Sequence, residues 1–126
     1  MQLRDYFENT SGIGVLSTAD SQGNVNSAIY ARPHVMEDGS LAMIMRDRLS
    51  HKNLESNPKA SYLFLEQDSG YKGKRFHLSK IAEEQDQEKI QALRRRAYKD
   101  DHLNQESSFL VYFQVDQELP LIGSGK

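Results

Sequence analysis

The segment Arg46-Asp47-Arg48-Leu49-Ser50-His51-Lys52-Asn53-Leu54-Glu55-Ser56-Asn57-Pro58 decides how the rest of the chain is read. The apolar run Leu41–Met45 before it reads as a buried strand, and Ala60–Glu66 after it as another. Between them Ser50 has the position of a helix N-cap, and Pro58 ends the helix. With Ser50 as N-cap, Leu49 and Leu54 have the spacing of a hydrophobic staple. So short a helix does not persist alone in water, so tertiary contacts or a ligand must hold it. Arg46, Arg48 and Lys52 bring three cations to the helix start, where unpaired N–H groups point at any anion. This is a phosphate site in outline. The same residues also describe a plain capped helix, with Lys52 solvated and the arginines paired to Asp47 and Glu55.

Working outward toward the N-terminus, Glu37-Asp38-Gly39 turns the chain into the Leu41–Met45 strand. The long run Val25–Val35 reads as one extended segment, with Pro33 marking an edge or a bulge. Ile13–Thr18 is the first strand, joined to it by hairpin residues Asp20–Gly23. Leu3, Tyr6 and Phe7 predict a short amphipathic helix in residues 1–10. Toward the C-terminus, Asp68–Lys74 is a glycine-punctuated basic loop. The strand Arg75–Glu83 should put Phe76, Leu78 and Ala82 on one face and His77, Ser79 and Ile81 on the other. Asp86–Lys99 predicts a longer helix with a thin apolar stripe of Ile90, Leu93 and Ala97. Phe109–Val115 is the strongest strand, with Phe109, Val111, Phe113 and Val115 facing inward, and Glu118–Lys126 reads as a tail.

The pattern predicts a single mainly β domain over residues 1–126. Six antiparallel strands suit a small barrel, which removes exposed edges. One short helix follows strand three and a longer one precedes strand six.

Composition narrows the chemistry. The 126 residues include no cysteine, which excludes disulfides, thiolate nucleophiles and zinc–thiolate sites. The four histidines have no metal-ligand spacing. Sixteen basic against 18 acidic residues give a net charge of −2, which argues against a general nucleic-acid binder. Arg94, Arg95 and Arg96 would spread around a helix rather than form a stripe, and Glu83 and Glu84 read as solvated carboxylates. No stretch has membrane-span length, and the first residues lack a signal-peptide core, so a cytoplasmic protein without membrane partners is expected. No phosphate-loop or nucleophile motif appears. An anion site without a reactive side chain points to chemistry borrowed from a cofactor.

In the order of these elements the chain resembles the flavin-binding split-barrel proteins of the pyridoxamine-5′-phosphate-oxidase-like family, in particular short members that are little more than the barrel. The resemblance runs from Ile13 to about Val115. It rests on the β-meander, Ser50-His51-Lys52-Asn53 opening a helix, the Asn57-Pro58 stop, and the approach Tyr71–Arg75 to the next strand. It implies a six-stranded split β-barrel with FMN bound at a homodimer interface. Position by position, Lys52 matches the family's phosphate lysine, Ser50 and Asn53 the helix-start groups, and Arg46 and Arg48 the strand exit. Asn26, Ser27, Ala28 and Ile29 match the segment that lies along the flavin ring. The C-terminal arginine and histidine that grip the vitamin substrate in longer members have no counterpart here.

The resemblance implies an FMN-dependent oxidoreductase with a small-molecule substrate or electron donor, and no catalytic side chain of its own. Lys72 and Lys74 are candidate cations for the flavin's pyrimidine edge. The alternatives are a non-enzymatic FMN storage or redox-sensing module, a relative using a deazaflavin cofactor, or a haem-binding relative using His51 or His77. Large residues on both faces of Tyr62–Leu65 and Phe109–Phe113 predict a homodimer, because one layer of sheet buries only one face. The tail from Glu118, with Leu119, Leu121 and Ile122, is expected to cover the flavin.

Overall fold

Seven strands, where six were expected, form one antiparallel sheet in the computed structural model, which describes residues 2–94 and 108–123. The elements run α1 (Leu3–Asn9), β1 (Gly12–Ala19), β2 (Val25–Tyr30), β3 (His34–Val35), β4 (Leu41–Arg46), α2 (Leu49–Ser56), β5 (Lys59–Glu66), β6 (Gly73–Glu84), α3 (Gln87–Leu93) and β7 (Ser108–Pro120). The sheet order is β2-β1-β5-β6-β7-β4-β3. The extra strand comes from the Val25–Val35 run, which serves both edges of the sheet. Val25–Tyr30 pairs with β1 at one edge, while His34–Val35 pairs with β4 at the other. Between them Pro33 has no N–H to offer a ladder, so pairing stops and the chain crosses the split.

The crossover is pinned on both sides. Arg32 Nη1 donates to the Phe7 and Thr10 carbonyls at 2.8 and 3.1 Å, satisfying the free C-terminal carbonyls of α1. Arg4 in turn donates to the Val35 carbonyl from Nε and Nη2 at 3.1 and 3.0 Å. Tyr62 Oη reaches the Tyr30 and Ala31 carbonyls at 3.3 and 3.2 Å. Its path requires Gly14, where an added Cβ would lie 1.9 Å from that hydroxyl.

The core fills the concave side. Phe7, Tyr62, Phe64, Phe76 and Phe113 are fully buried there with Leu16, Leu41, Met45 and Leu78. Phe7 packs edge-on against Phe64 at 5.4 Å and Tyr62 at 6.4 Å, pairs worth about 0.5–1.5 kcal/mol each beyond area burial. As predicted, Val111 and Phe113 point inward, with Phe109 and Val115 partly buried beside them.

Three expectations need correction. Asp86 caps α3 by accepting from the Glu88 and Lys89 N–H groups, but the helix ends at Leu93, with Arg94 already extended. Residues 95–99 of the longer predicted helix lie outside the described residues. Ala82 does not share a face with Phe76 and Leu78. The ladder passes from Lys80↔Phe113 to Ala82↔Tyr112, so Ile81 is an extra residue that reverses the alternation. Finally, Glu118–Pro120 belong to β7 and are paired along β6. Leu119 is buried, and Arg75 donates to the Pro120 and Gly123 carbonyls at 2.8 and 2.7 Å. The chain as far as Gly123 is therefore part of the sheet's end rather than a free cover.

Candidate functional site

The exit of β4, the start of α2 and the inner face of β2 meet at one mouth of the barrel. Helix α2 packs against β1, β2 and β4 and drives Leu54 into the core. It begins at Leu49 with Arg48 as its N-cap residue, so Ser50 lies inside the first turn and is not the cap. The staple is also absent: Leu49 is 53% exposed while Leu54 is 3% exposed. Arg48 makes no side-chain cap, and the first turn carries no acidic residue. The leading N–H groups of α2 therefore lack the side-chain acceptor that usually satisfies them, and they favour an anion.

The predicted residues divide into two groups. Asn26, Ser50 and Asn53 face inward and tie α2 to the sheet. Asn26 Nδ2 lies 3.4 Å from Ser50 Oγ, and Asn53 Nδ2 donates to Thr18 Oγ1 at 3.0 Å. Ser50 and Asn53 are only 3% and 5% exposed, so each is a buried polar group satisfied by a side chain of the sheet. The second group lies nearer the surface. Lys52 and Arg48 are exposed, and Arg46 at the end of β4 is half-buried opposite Ser108. On β2, Ala28 lies on the inner face opposite Leu16, while Ser27 and Ile29 point outward. Ser27 Oγ is 2.9 Å from Ser17 Oγ, and Ile29 is 72% exposed.

Sequence reading missed Tyr30 and Thr18. Burial raises the Tyr30 phenol above its usual range, against the opposing pull of the Ser50 hydroxyl and the Arg48 charge. Tyr30 thus couples β2 to both ends of the anion-site turn. Its place two and four residues after Ala28 and Asn26 on one strand face was legible; that this face would meet α2 was not. His51 is buried against Phe109, with Nε2 3.0 Å from Glu83 Oε1. His77 stays exposed on the outer face of β6.

Lys74 is committed elsewhere. It pairs with Glu118 at 3.0 Å and sits over the Tyr6 ring, 5.1 Å from its centroid. Both line a cavity of about 430 Å³ beside α1 that also contains Glu66 and Lys72. Tyr6 closes this cluster by donating to Glu66 at 2.7 Å. Among the described residues, no group of three or more histidine, aspartate or glutamate side chains is arranged to hold a metal, and no helix is long and apolar enough to cross a membrane.

No family model and no curated protein matches the sequence. Solved structures do match over nearly the whole chain. An FMN-binding protein from Syntrophomonas wolfei subsp. wolfei superposes with a TM-score of 0.74 at 21% identity, covering 96% of this chain and 84% of that one. HupZ from Group A Streptococcus gives 0.68 at 16% identity, covering 98% and 94%. A Clostridium acetobutylicum protein related to general stress protein 26, of the pyridoxinephosphate oxidase family, gives 0.62 at 14% identity, covering 92% and 83%. With its two edges formed by one crossing segment and α2 set across the mouth, the chain has the split-barrel fold of the pyridoxamine-5′-phosphate-oxidase-like proteins.

Proposed function

We propose that this protein binds FMN at the seam of a homodimer and acts as an FMN-dependent oxidoreductase. The observation that carries the reading is the uncapped start of α2, flanked by Arg48 and Lys52 and tied through Ser50 and Asn26 to an edge strand. These residues suit a phosphate monoester. The helix N–H groups and the two exposed cations supply charge-assisted donors, with Arg46 at the strand exit as a further one. β2 suits the ring. As an edge strand it has main-chain N–H and C=O groups on one side that no other strand among the described residues takes up, from Asn26 through Ile29. Bound FMN would supply hydride transfer to or from a small-molecule substrate or electron donor. The protein's own part is to hold the phosphate, orient the ring through main-chain groups and shield one ring face with the outward Ile29.

Lys52 is the residue to test. A charge-assisted bond from its ammonium to phosphate is worth roughly 1.5–3 kcal/mol. Lys52→Ala should therefore weaken FMN binding about ten- to a hundredfold and leave riboflavin, which lacks the phosphate, almost unchanged. Equal losses for both ligands would place the lysine at the ring or in folding. Wild-type protein that takes up no FMN at micromolar concentration would overturn the reading. Anaerobic reduction of the bound flavin by nicotinamide donors then separates an enzyme from a flavin carrier.

A further inference from the structure

His51 is the neighbour of the anion-site lysine in sequence, yet its side chain turns away from that site. It is 4% exposed, and its ring stacks on Phe109 with centroids 3.9 Å apart and planes 14° from parallel. Nε2 lies 3.0 Å from Glu83 Oε1. Nδ1 lies 3.4 Å from Asp47 Oδ1, an ion-pair approach without hydrogen-bond geometry, so this nitrogen is buried with no hydrogen-bond partner. An orphaned buried ring nitrogen facing a carboxylate calls for an explanation.

The partner on β6 reaches His51 because of the bulge at Ile81. In a regular strand Lys80 and Glu83, three apart, would face opposite ways. The extra residue puts them opposite Phe113 and Val111 on the same inner face, and Lys80 Nζ pairs with Glu83 Oε1 at 2.5 Å. Burial works to raise the Glu83 carboxyl, but Lys80 and His51 outweigh it and hold it below the usual carboxylate range. A carboxylate, an ammonium and an imidazole thus meet behind the first turn of α2.

We infer that His51 is a positioning residue of the anion site: through Glu83 it pins the first turn of α2 to the end of β6 and so holds the helix N–H groups that meet the bound phosphate. The inference rests on the flavin-phosphate reading of that site. A neutral imidazole has one N–H and can donate toward Glu83 or toward Asp47; an imidazolium donates toward both. Among the described residues, the charged groups facing the ring are Asp47 before α2 and Glu83 on β6, with Lys80 behind Glu83. Phe109 on β7 is neutral. The tie from Nε2 to Glu83 holds the turn that presents the helix N–H groups, so its loss should weaken phosphate binding and leave ring affinity almost unchanged.

The test compares wild type, His51→Phe and Glu83→Gln as full chains. Phenylalanine keeps the stacking on Phe109 and the volume but has no N–H. FMN and riboflavin affinities are measured at one fixed pH and constant ionic strength, so that the flavin phosphate keeps one charge throughout. Amide hydrogen exchange of Ser50–Asn53 is followed in unliganded protein. His51→Phe should lose about five- to twentyfold in FMN affinity, with riboflavin changed less than about twofold. The α2 amides should exchange faster. Glu83→Gln should show the same changes at smaller amplitude, and it carries the test if His51→Phe does not fold. Equal losses for both ligands would overturn the inference. If wild type binds neither ligand the flavin reading fails on its own, and the exchange data still decide the pinning: unchanged α2 exchange in both variants overturns it.

Discussion

The convex side of the sheet has two halves that meet water in opposite ways. On the β4–β7 half, α3 lays Ile90 on Ala42 and Leu110, all three fully buried, with Ile44, Tyr112, Met36 and Leu93 packed around them. On the β2–β1–β5 half nothing among the described residues covers the outer face. There Ile29, Ile13 and Leu63 are 72%, 57% and 37% exposed. The register lines these residues up rather than scattering them: Ile29, Val15 and Leu63 form one row across three strands, and Ile13 and Leu65 the next. Both halves carry apolar residues on both strand faces, so both need a second layer. One receives it from a single buried isoleucine on a seven-residue helix; the other presents a contiguous apolar patch of the kind that marks an interaction site. A thin helical stripe covers more than its composition suggests when it sits over a two-strand groove.

This contrast can be broken by experiment. The largest expected effect is on the covered half: Ile90→Ala should cost about 2–4 kcal/mol of stability, read as a lowered denaturation midpoint, with self-association unchanged. A variant of wild-type stability would mean that α3 is not the second layer. On the bare half Ile29→Glu should do the reverse. It should weaken the proposed homodimer at least about tenfold, or about 1.4 kcal/mol, by sedimentation, while the monomer's stability moves by less than about 0.5 kcal/mol. A wild-type protein that is monomeric with FMN bound would contradict the seam altogether. The smallest effect concerns the ties that hold α3 down. Tyr112 donates to Glu84, which also pairs with Lys89 at 3.1 Å. The Tyr112 hydroxyl first and Lys89 second hold the Glu84 carboxyl below its usual range. A lowered folded value contributes stability above the unfolded value and loses it as pH falls through the folded one. Glu84→Gln should therefore flatten the acid limb of the stability profile slightly and leave neutral-pH association untouched. An unaltered acid limb would remove this tie.

The candidate site was partly legible, and where it was not the reason is geometric. Arg46, Arg48, Ser50, Lys52 and Asn53 were recognisable because a strand, a helix start and a proline stop lie within thirteen consecutive residues. Their division into buried ties and outer cations was not, since it depends on where β2 passes. Asn26 and Ser50 are 24 positions apart, and only the crossing at Pro33 and the pairing of β2 with β1 bring them together. From sequence His51 stands between a serine and a lysine as a candidate haem ligand. Its burial depends on Phe109 and Glu83, each contributed by a distant strand.

Local chemistry in the sequence was sufficient for the mainly β class, the turns, the presence of three helices and the inward set Val111 and Phe113, because two-residue alternation and turn residues act over a few positions. Tertiary structure decided what those rules cannot reach. It split one extended run between two sheet edges, because proline ends the ladder and the curled sheet brings its edges close enough for one segment to serve both. It inserted Ile81 as an extra residue that reverses the face of every β6 residue after it, since a bulge is defined by the partner strand and not by its own sequence. And it drew Glu118–Pro120 into β7, because paired main-chain groups beside Arg75 outweigh the freedom of a glycine-rich end.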